Sequence, residues 1–266
     1  MADMRSKLQE FYRLEQLADQ DTPLHRLHPG AKLLTTFVFI ITVVSFDRLQ
    51  FRALIPFLFY PAFFMGLSGI PWPLALKRVA LTLPFVVFAG ITNVIFDRVP
   101  VMALGSLVLT SGMVSFAAIL LRTFLTVLAL VMMIAVTPFS DLTAELRRIH
   151  VPDIFVTLFE MTYRYIGVLL EETSSMFTAY GLRHQKSKGL EMKHMGSFVG
   201  SLLLRSIDRA TRVYSAMKCR GYGRPVAALT KRPWKTADYV YTAVFCGLCI
   251  LCRMVDVVTL IGGIFA

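Results

Sequence analysis

Five apolar runs set the limits on what this chain can fold into. They are Ala31 to Phe46, Phe51 to Ile70 with Pro56 and Pro61 inside it, Ala80 to Phe96 with Pro84 near its start, Met113 to Val136, and a last one within Ala237 to Ile264. A helix needs about 20 apolar residues to cross the hydrocarbon core of a bilayer. The first and third runs fall slightly short of that, so their ends must lean on interfacial residues. Prolines are tolerated in such helices because neighbouring groups can satisfy the freed carbonyls. With 56% hydrophobic residues and a mean hydropathy of +0.62, the chain is too apolar for an ordinary soluble domain. The expected fold is all-α: a polytopic membrane protein with about five transmembrane helices and two long helices in the polar stretch between the fourth and fifth.

The net charge of +11 would suggest nucleic acid in a soluble chain. In a membrane protein it marks the cytoplasmic face instead, and no nucleic-acid partner is expected. With the N-terminus inside, 23 of the 28 Lys and Arg residues fall on one side. They lie in the arm through Lys32, at a loop with Lys77 and Arg78, and in Pro138 to Lys235. Arg48, Arg52 and Arg98 fall outside, and Arg122 and Arg253 within spans. The first 30 residues carry Arg5, Lys7, Arg13 and Arg26 and no continuous apolar run, so no cleavable signal peptide is expected. A multi-pass protein of the cell membrane follows, with its N-terminus and its long polar region in the cytoplasm. Its expected parts are 1–137, an arm and four transmembrane helices; 138–235, the cytoplasmic region; and 236–266, a last transmembrane helix.

The arm is expected to hold a short amphipathic helix around Leu8 to Leu17, and Pro29-Gly30 to break the chain before the first span. In the polar region, Asp141 to His150 reads as a short amphipathic helix with Ser140 as N-cap. Val151 ends it, and Pro152 suits the first position of a long helix reaching about Leu182. A polar loop from Gln185 to His194 and a second long helix, Ser197 to Cys219, follow. Arg205, Arg209 and Arg212 stripe that helix, and Asp208 is spaced to pair with Arg212. The two long helices end alike: Ala179-Tyr180-Gly181-Leu182-Arg183 and Ala216-Met217-Lys218-Cys219-Arg220, followed by Gly221. Both read A-x-x-x-R, 37 residues apart. Two readings of Arg183 and Arg220 stand side by side. A cation can cap the last carbonyls of a helix. Alternatively, it can enter a partner's groove, with Ala179 and Ala216 leaving its approach clear.

Other chemistry is sparse. There is no G-x-x-x-x-G-K-[ST] loop, no Ser/His/Asp arrangement and no H-E-x-x-H, so no catalytic residue is expected. Cys246, Cys249 and Cys252 step round a helix by about 60° each and do not converge on one ion. His25 and His28 read as an interfacial loop, and no metal site is expected. Arg122, nine residues inside the fourth run, must find carbonyls or a carboxylate if it sits at membrane depth. It can be a structural clamp, a joint for helix movement, or a snorkelling side chain.

Three stretches carry a resemblance. TPLHRLHPGAKLL, TPFSDLTAELRRIHVPDIFVTLFEMTYRYIGVLLEE and SAMKCRGYG resemble the signatures of the transmembrane T subunit of energy-coupling-factor (ECF) transporters, in the cobalt/nickel branch (CbiQ-like), over nearly the whole chain. His184 departs from the pattern, standing where a Gly or Ser is expected. The resemblance implies a non-catalytic subunit. Its two long cytoplasmic helices cross on the inner face, and their terminal arginines enter grooves on two ABC ATPase subunits (CbiO-like). Arg183 and Arg220 take that role, with Ala179, Ala216 and Gly221 as close-packing positions. ATP would sit on the partner ATPases and the transported metal on a separate substrate-binding membrane subunit (CbiM-like), leaving this chain without a cofactor. The rival reading is a stand-alone channel or secondary carrier. It predicts charged residues lining several spans or inverted repeats of broken helices, and the spans here are nearly charge-free.

Overall fold

A computed structural model describes residues 18, 20, 22–47, 51–97, 100–104, 107–183, 190–222 and 233–254. The N-terminal stretch Leu8 to Leu17, His184 and the end of the last run beyond Met254 lie outside the described residues. The chain divides into two compact units, 15–145 with 233–266 and 1–14 with 146–232.

The first unit holds the apolar helices. α1 is Pro29–Val44, α2 Phe51–Leu54, then a 3-10 turn Ile55–Leu58, α3 Phe59–Ser68 and α4 Trp72–Phe96. A short antiparallel hairpin follows, β1 Pro100–Leu104 and β2 Leu107–Thr110, before α5 Ser111–Val136, α6 Phe139–Arg148 and, after the other unit, α9 Thr236–Met254. By length and composition α4, α5 and α9 can each cross a membrane, and two shorter apolar helices, Pro29–Val44 and Ile55–Ser68, accompany them. The protein is an all-α polytopic membrane protein, and the hairpin is its one piece of sheet among the described residues.

Several boundaries differ from those expected. Pro29 and Gly30 do not break the chain; they form the first turn of α1, where a proline's missing N–H costs nothing. The second run is not one continuous α-helix: Pro56 lies in a 3-10 turn and Pro61 in the first turn of α3. The third run begins eight residues earlier than read, so Lys77 and Arg78 belong to α4 rather than to a loop, and Pro84 sits in its interior. Ser140 is not an N-cap: α6 begins at Phe139, and the carbonyl of Pro138 accepts from the N–H groups of Asp141 and Leu142.

An aromatic cluster sits within the largely aliphatic core of this unit. The Phe39 ring of α1 lies tilted 4.3 Å from Tyr60 of α3, and Tyr60 lies 4.6 Å from Phe245 of α9. α5 approaches the end of α4 closely at Gly112. A Cβ there would meet the carbonyl oxygens of Asn93 and Asp97 at 2.5 and 2.7 Å. The Gly112 N–H donates to Asp97 O, and Ser111 Oγ to Asp97 Oδ2.

α1 stops early, and two arginines meet its end. Arg122 of α5 donates to Phe46 O at 2.6 Å and to Asp47 O at 3.4 Å. Arg253 of α9 donates to Ser45 O at 3.2 Å and lies over the Phe46 ring. Carbonyls released at a helix end need partners when lipid surrounds them, and Nη2 of Arg122 serves two at once. We therefore expect Arg122→Leu to lower stability in detergent by about 2 kcal/mol, the usual worth of a hydrogen bond to a charged group. Arg122→Lys should retain more of it. Thermal unfolding of the two variants checks this, and parent-like melting of both would remove the clamp.

The second unit is built from α7, Asp153–Arg183, and α8, Met192–Cys219. α7 starts one residue after the expected position, because Pro152 stands before the helix and its carbonyl accepts from Phe155 and Val156. α8 starts five residues before Ser197, and Gly196 lies inside its first turns with open space around it.

Candidate functional site: two arginine-ended helices

Side-chain contacts between α7 and α8 follow an antiparallel register. Tyr180 faces His194, Phe177 faces Phe198 at 4.7 Å, and Glu172 takes Arg205 at 3.3 Å and Arg209 at 3.1 Å. Further along, a groove of about 310 Å³ is lined by Met161, Tyr165 and Leu169 from α7 and Arg209, Val213 and Met217 from α8. Side-chain contacts thus extend from the end of α7 back toward its first turns. The basic stripe of α8 is used between helices. Glu172 collects Arg205 and Arg209, whereas the expected Asp208–Arg212 pair is absent among the described ion pairs.

This register sends the two arginines to opposite ends. Arg183 closes α7 beside the start of α8, and Arg220 follows α8 near the start of α7. A 31-residue helix rising 1.5 Å per residue puts them roughly 40 Å apart. Ala179, Arg183, Ala216, Arg220 and Gly221 are all exposed. Among the described residues neither guanidinium makes a hydrogen bond or ion pair.

The end of α8 is closed by backbone alone. Gly221, at φ 72°, donates its N–H to Lys218 O, and Tyr222 donates to Met217 O. This six-residue closure needs a residue in the left-handed region, which glycine adopts without steric cost. Nothing lies within 4 Å of the place a Cβ would occupy on Gly221, so within this chain the glycine serves the turn and not packing. The Ala216, Met217 and Lys218 carbonyls, which a cationic cap could serve, are taken by N–H groups, and the Arg220 head makes no hydrogen bond among the described residues. α6 closes the same way, with Val151 N–H on Leu146 O and His150 N–H on Arg147 O, but with His150 at φ 66° in place of glycine. Arg147 then holds the corner into α7 through Asp153 and Glu160.

The faces of these helices are unusually bare. α8 has no buried residue and α7 only Val156. Leu158, Phe159 and Ile166 on α7 and Val199, Leu203 and Ile207 on α8 are exposed. Apolar surface of this extent marks an interaction face.

The reading of His28 as an interfacial loop residue does not hold. His28 is 1% exposed and caps α1, its Nδ1 accepting the Gly30 N–H at 3.1 Å. It stacks on Trp234 at 4.8 Å, and its own N–H donates to Asp238 Oδ1. Glu145 of α6 lies 3.6 Å from its Nδ1, and Lys32 Nζ bridges His25 O and Val136 O. Sequence reasoning missed Glu145, Lys32, Trp234 and Asp238. The available signal was a Glu on an amphipathic helix and an Asp opening the last one, and neither names its partner. Of the three cysteines, Cys249 is buried in the core and Cys246 and Cys252 lie partly buried on the same helix.

Comparison with known proteins places this chain. It is 31% identical over 98 residues to the cobalt transport protein CbiQ of Rhodobacter capsulatus, which is 36% of this chain and 40% of the relative. It is 29% identical over 104 residues to the nickel permease LarQ of Lactiplantibacillus plantarum, 39% of this chain and 38% of the relative. A longer match, 27% identical over 75% of this chain and 79% of the relative, joins it to the energy-coupling factor transporter transmembrane protein EcfT of Ruminiclostridium cellulolyticum. Residues 20–231 match the family model CbiQ, described as cobalt transport protein, and the chain therefore belongs to the CbiQ family.

Proposed function

We propose that this chain is the transmembrane energy-coupling T subunit of an ECF-type importer for cobalt or nickel. It is non-catalytic and links two ABC ATPase subunits to a separate substrate-binding membrane subunit. The observation that carries the reading is the placement of Arg183 and Arg220. Each stands at the end of an exposed helix without a partner in the described chain, and the two lie roughly 40 Å apart, a separation that suits two binding sites rather than one. Each would enter a groove on one ATPase and form a charge-assisted hydrogen bond there. The apolar faces of α7 and α8 would supply the contact with the membrane subunit that holds the metal. ATP belongs to the ATPases and the ion to the substrate-binding subunit. A stand-alone channel or carrier gains no support from Arg122 and Arg253, whose heads end on backbone carbonyls at one helix end.

In this reading α7 and α8 face the cytoplasm, as does the N-terminus, because 23 of 28 basic residues fall on that side. A cysteine placed at Val101 should react with an impermeant reagent applied outside, and one at Ser187 should not. Labelling of both from outside would discard the orientation. The experiment that tests the function is co-purification with the two ATPases, followed by ATP-dependent uptake of Co²⁺ and Ni²⁺ in vesicles.

A further inference from the structure

We infer that Glu145, seated on the N-terminus of α1, is the positioning residue through which movement of α6 reaches the membrane helices. This inference rests on the T-subunit reading. The chain passes from one compact unit to the other within α6. It crosses again at 14/15 and 232/233, and the α6 crossing is the one whose turn carries Glu145. That side chain is 12% exposed, and its Oε1 lies 3.6 Å from His28 Nδ1. The carboxylate occupies space that only a glycine leaves open: a Cβ on Gly30 would come within 2.6 Å of Glu145 Oε2 and 3.2 Å of its Cδ.

The chemistry of the seat favours an anion. The Gly30, Ala31 and Lys32 N–H groups are held by His28 itself, and the positive end of the helix dipole supplies the pull on the carboxylate. The seat is also fixed on its other sides. His28 N–H is held by Asp238, which in turn takes the Lys235 N–H at the start of α9. Lys32, one turn along α1, is anchored to the last carbonyl of α5 at Val136. The N-terminus of α1, the C-terminus of α5 and the N-terminus of α9 thus form one buried frame, and Glu145 is the contact that α6 makes with it. A displacement of α6 must either drag this frame or pull the carboxylate off it.

The atom that a new Cβ would meet is the far end of a flexible side chain, so Gly30→Ala can fold by expelling the carboxylate. That makes it a test of the contact rather than of the fold, and Glu145→Gln keeps the shape while removing the charge. The complete transporter, reconstituted in vesicles, should keep its ATPase subunits and its ATP hydrolysis in both variants. Ions of Co²⁺ or Ni²⁺ taken up per ATP should fall by about fivefold or more, the scale of an ordinary coupling energy between sites. Adding Glu145→Asp to Gly30→Ala restores room and should recover part of that ratio, which a merely structural role would not do. In the isolated subunit, backbone amides of Leu142 to Leu146 should exchange faster in both single variants. An unchanged ions-per-ATP ratio, or faster exchange without any change in that ratio, overturns the inference. If the parent chain itself recruits no ATPase, the T-subunit reading fails first, and the exchange measurement shows whether the seat exists without it.

Discussion

Replacing Arg183 and Arg220 together with Glu should abolish ATPase recruitment and metal uptake while leaving the subunit folded. Both side chains are exposed and make no hydrogen bond or ion pair among the described residues, so melting in detergent should match the parent. Removing one partner of a buried, hydrogen-bonded charge pair costs about 2–5 kcal/mol, or about 30-fold and upward in affinity. A new Glu adds a like charge or an unpaired one. Each single change should therefore weaken pull-down and sharply reduce uptake. The double change should do most, because the roughly 40 Å between the two side chains lets each serve a different ATPase. Ala216→Phe should also weaken docking, by blocking close approach with the charge intact. Unchanged pull-down and uptake in the double variant would leave both arginines as ends of helices and nothing more.

Gly112→Leu should be among the most destabilising substitutions in the membrane unit. The atoms that its Cβ would meet are backbone: Asn93 O at 2.5 Å, Asp97 O at 2.7 Å and Val94 Cα at 2.9 Å. None can rotate away, so α4 and α5 must separate. Separation breaks the Gly112 N–H to Asp97 O bond and the Ser111 to Asp97 contact. Overpacking of this kind typically costs about 1–3 kcal/mol and more where backbone must shift. Gly196→Ala is the matching control. It lies inside α8 with open space around it, and the helix propensity of Ala should make it neutral or slightly stabilising. Melting of the two purified variants decides the matter, and parent-like melting of Gly112→Leu would mean that the helices do not pack this closely.

The parts of this fold legible in the sequence were those set by period and composition. The apolar runs gave the membrane helices, and the amphipathic spacing from Phe155 to Tyr180 gave α7 to within a residue of its ends. Boundaries failed where a breaker was read without its context. Pro29-Gly30 opens a helix because His28 caps it, and the second long helix begins at Met192, inside the stretch expected to be a polar loop. The A-x-x-x-R endings were visible, whereas the separation of their arginines was not, since it depends on the antiparallel register that Glu172, Phe177 and Tyr180 set with α8. The buried frame around His28 was the least visible part. Its members are separated by up to 210 residues, and no local spacing joins Glu145 or Asp238 to the start of α1.

The early end of α1 shapes the lipid around the protein. Sixteen residues span about 24 Å, against a hydrocarbon core of about 30 Å. α5 runs on past the Arg122 contact through residues 111–121, roughly 16 Å further. Leu34, Phe37, Ile41 and Val44 are exposed along α1, so its outer surface is greasy up to the level where Arg122 and Arg253 close it off, and the belt it offers is narrow there. One flank of the molecule is thus thinner than the other. Acyl chains against α1 must shorten or tilt, and this hydrophobic mismatch costs a fraction of a kcal/mol per Å. The subunit therefore favours a thinned annulus on the α1 side, which makes membrane thickness one of the variables that set its stability.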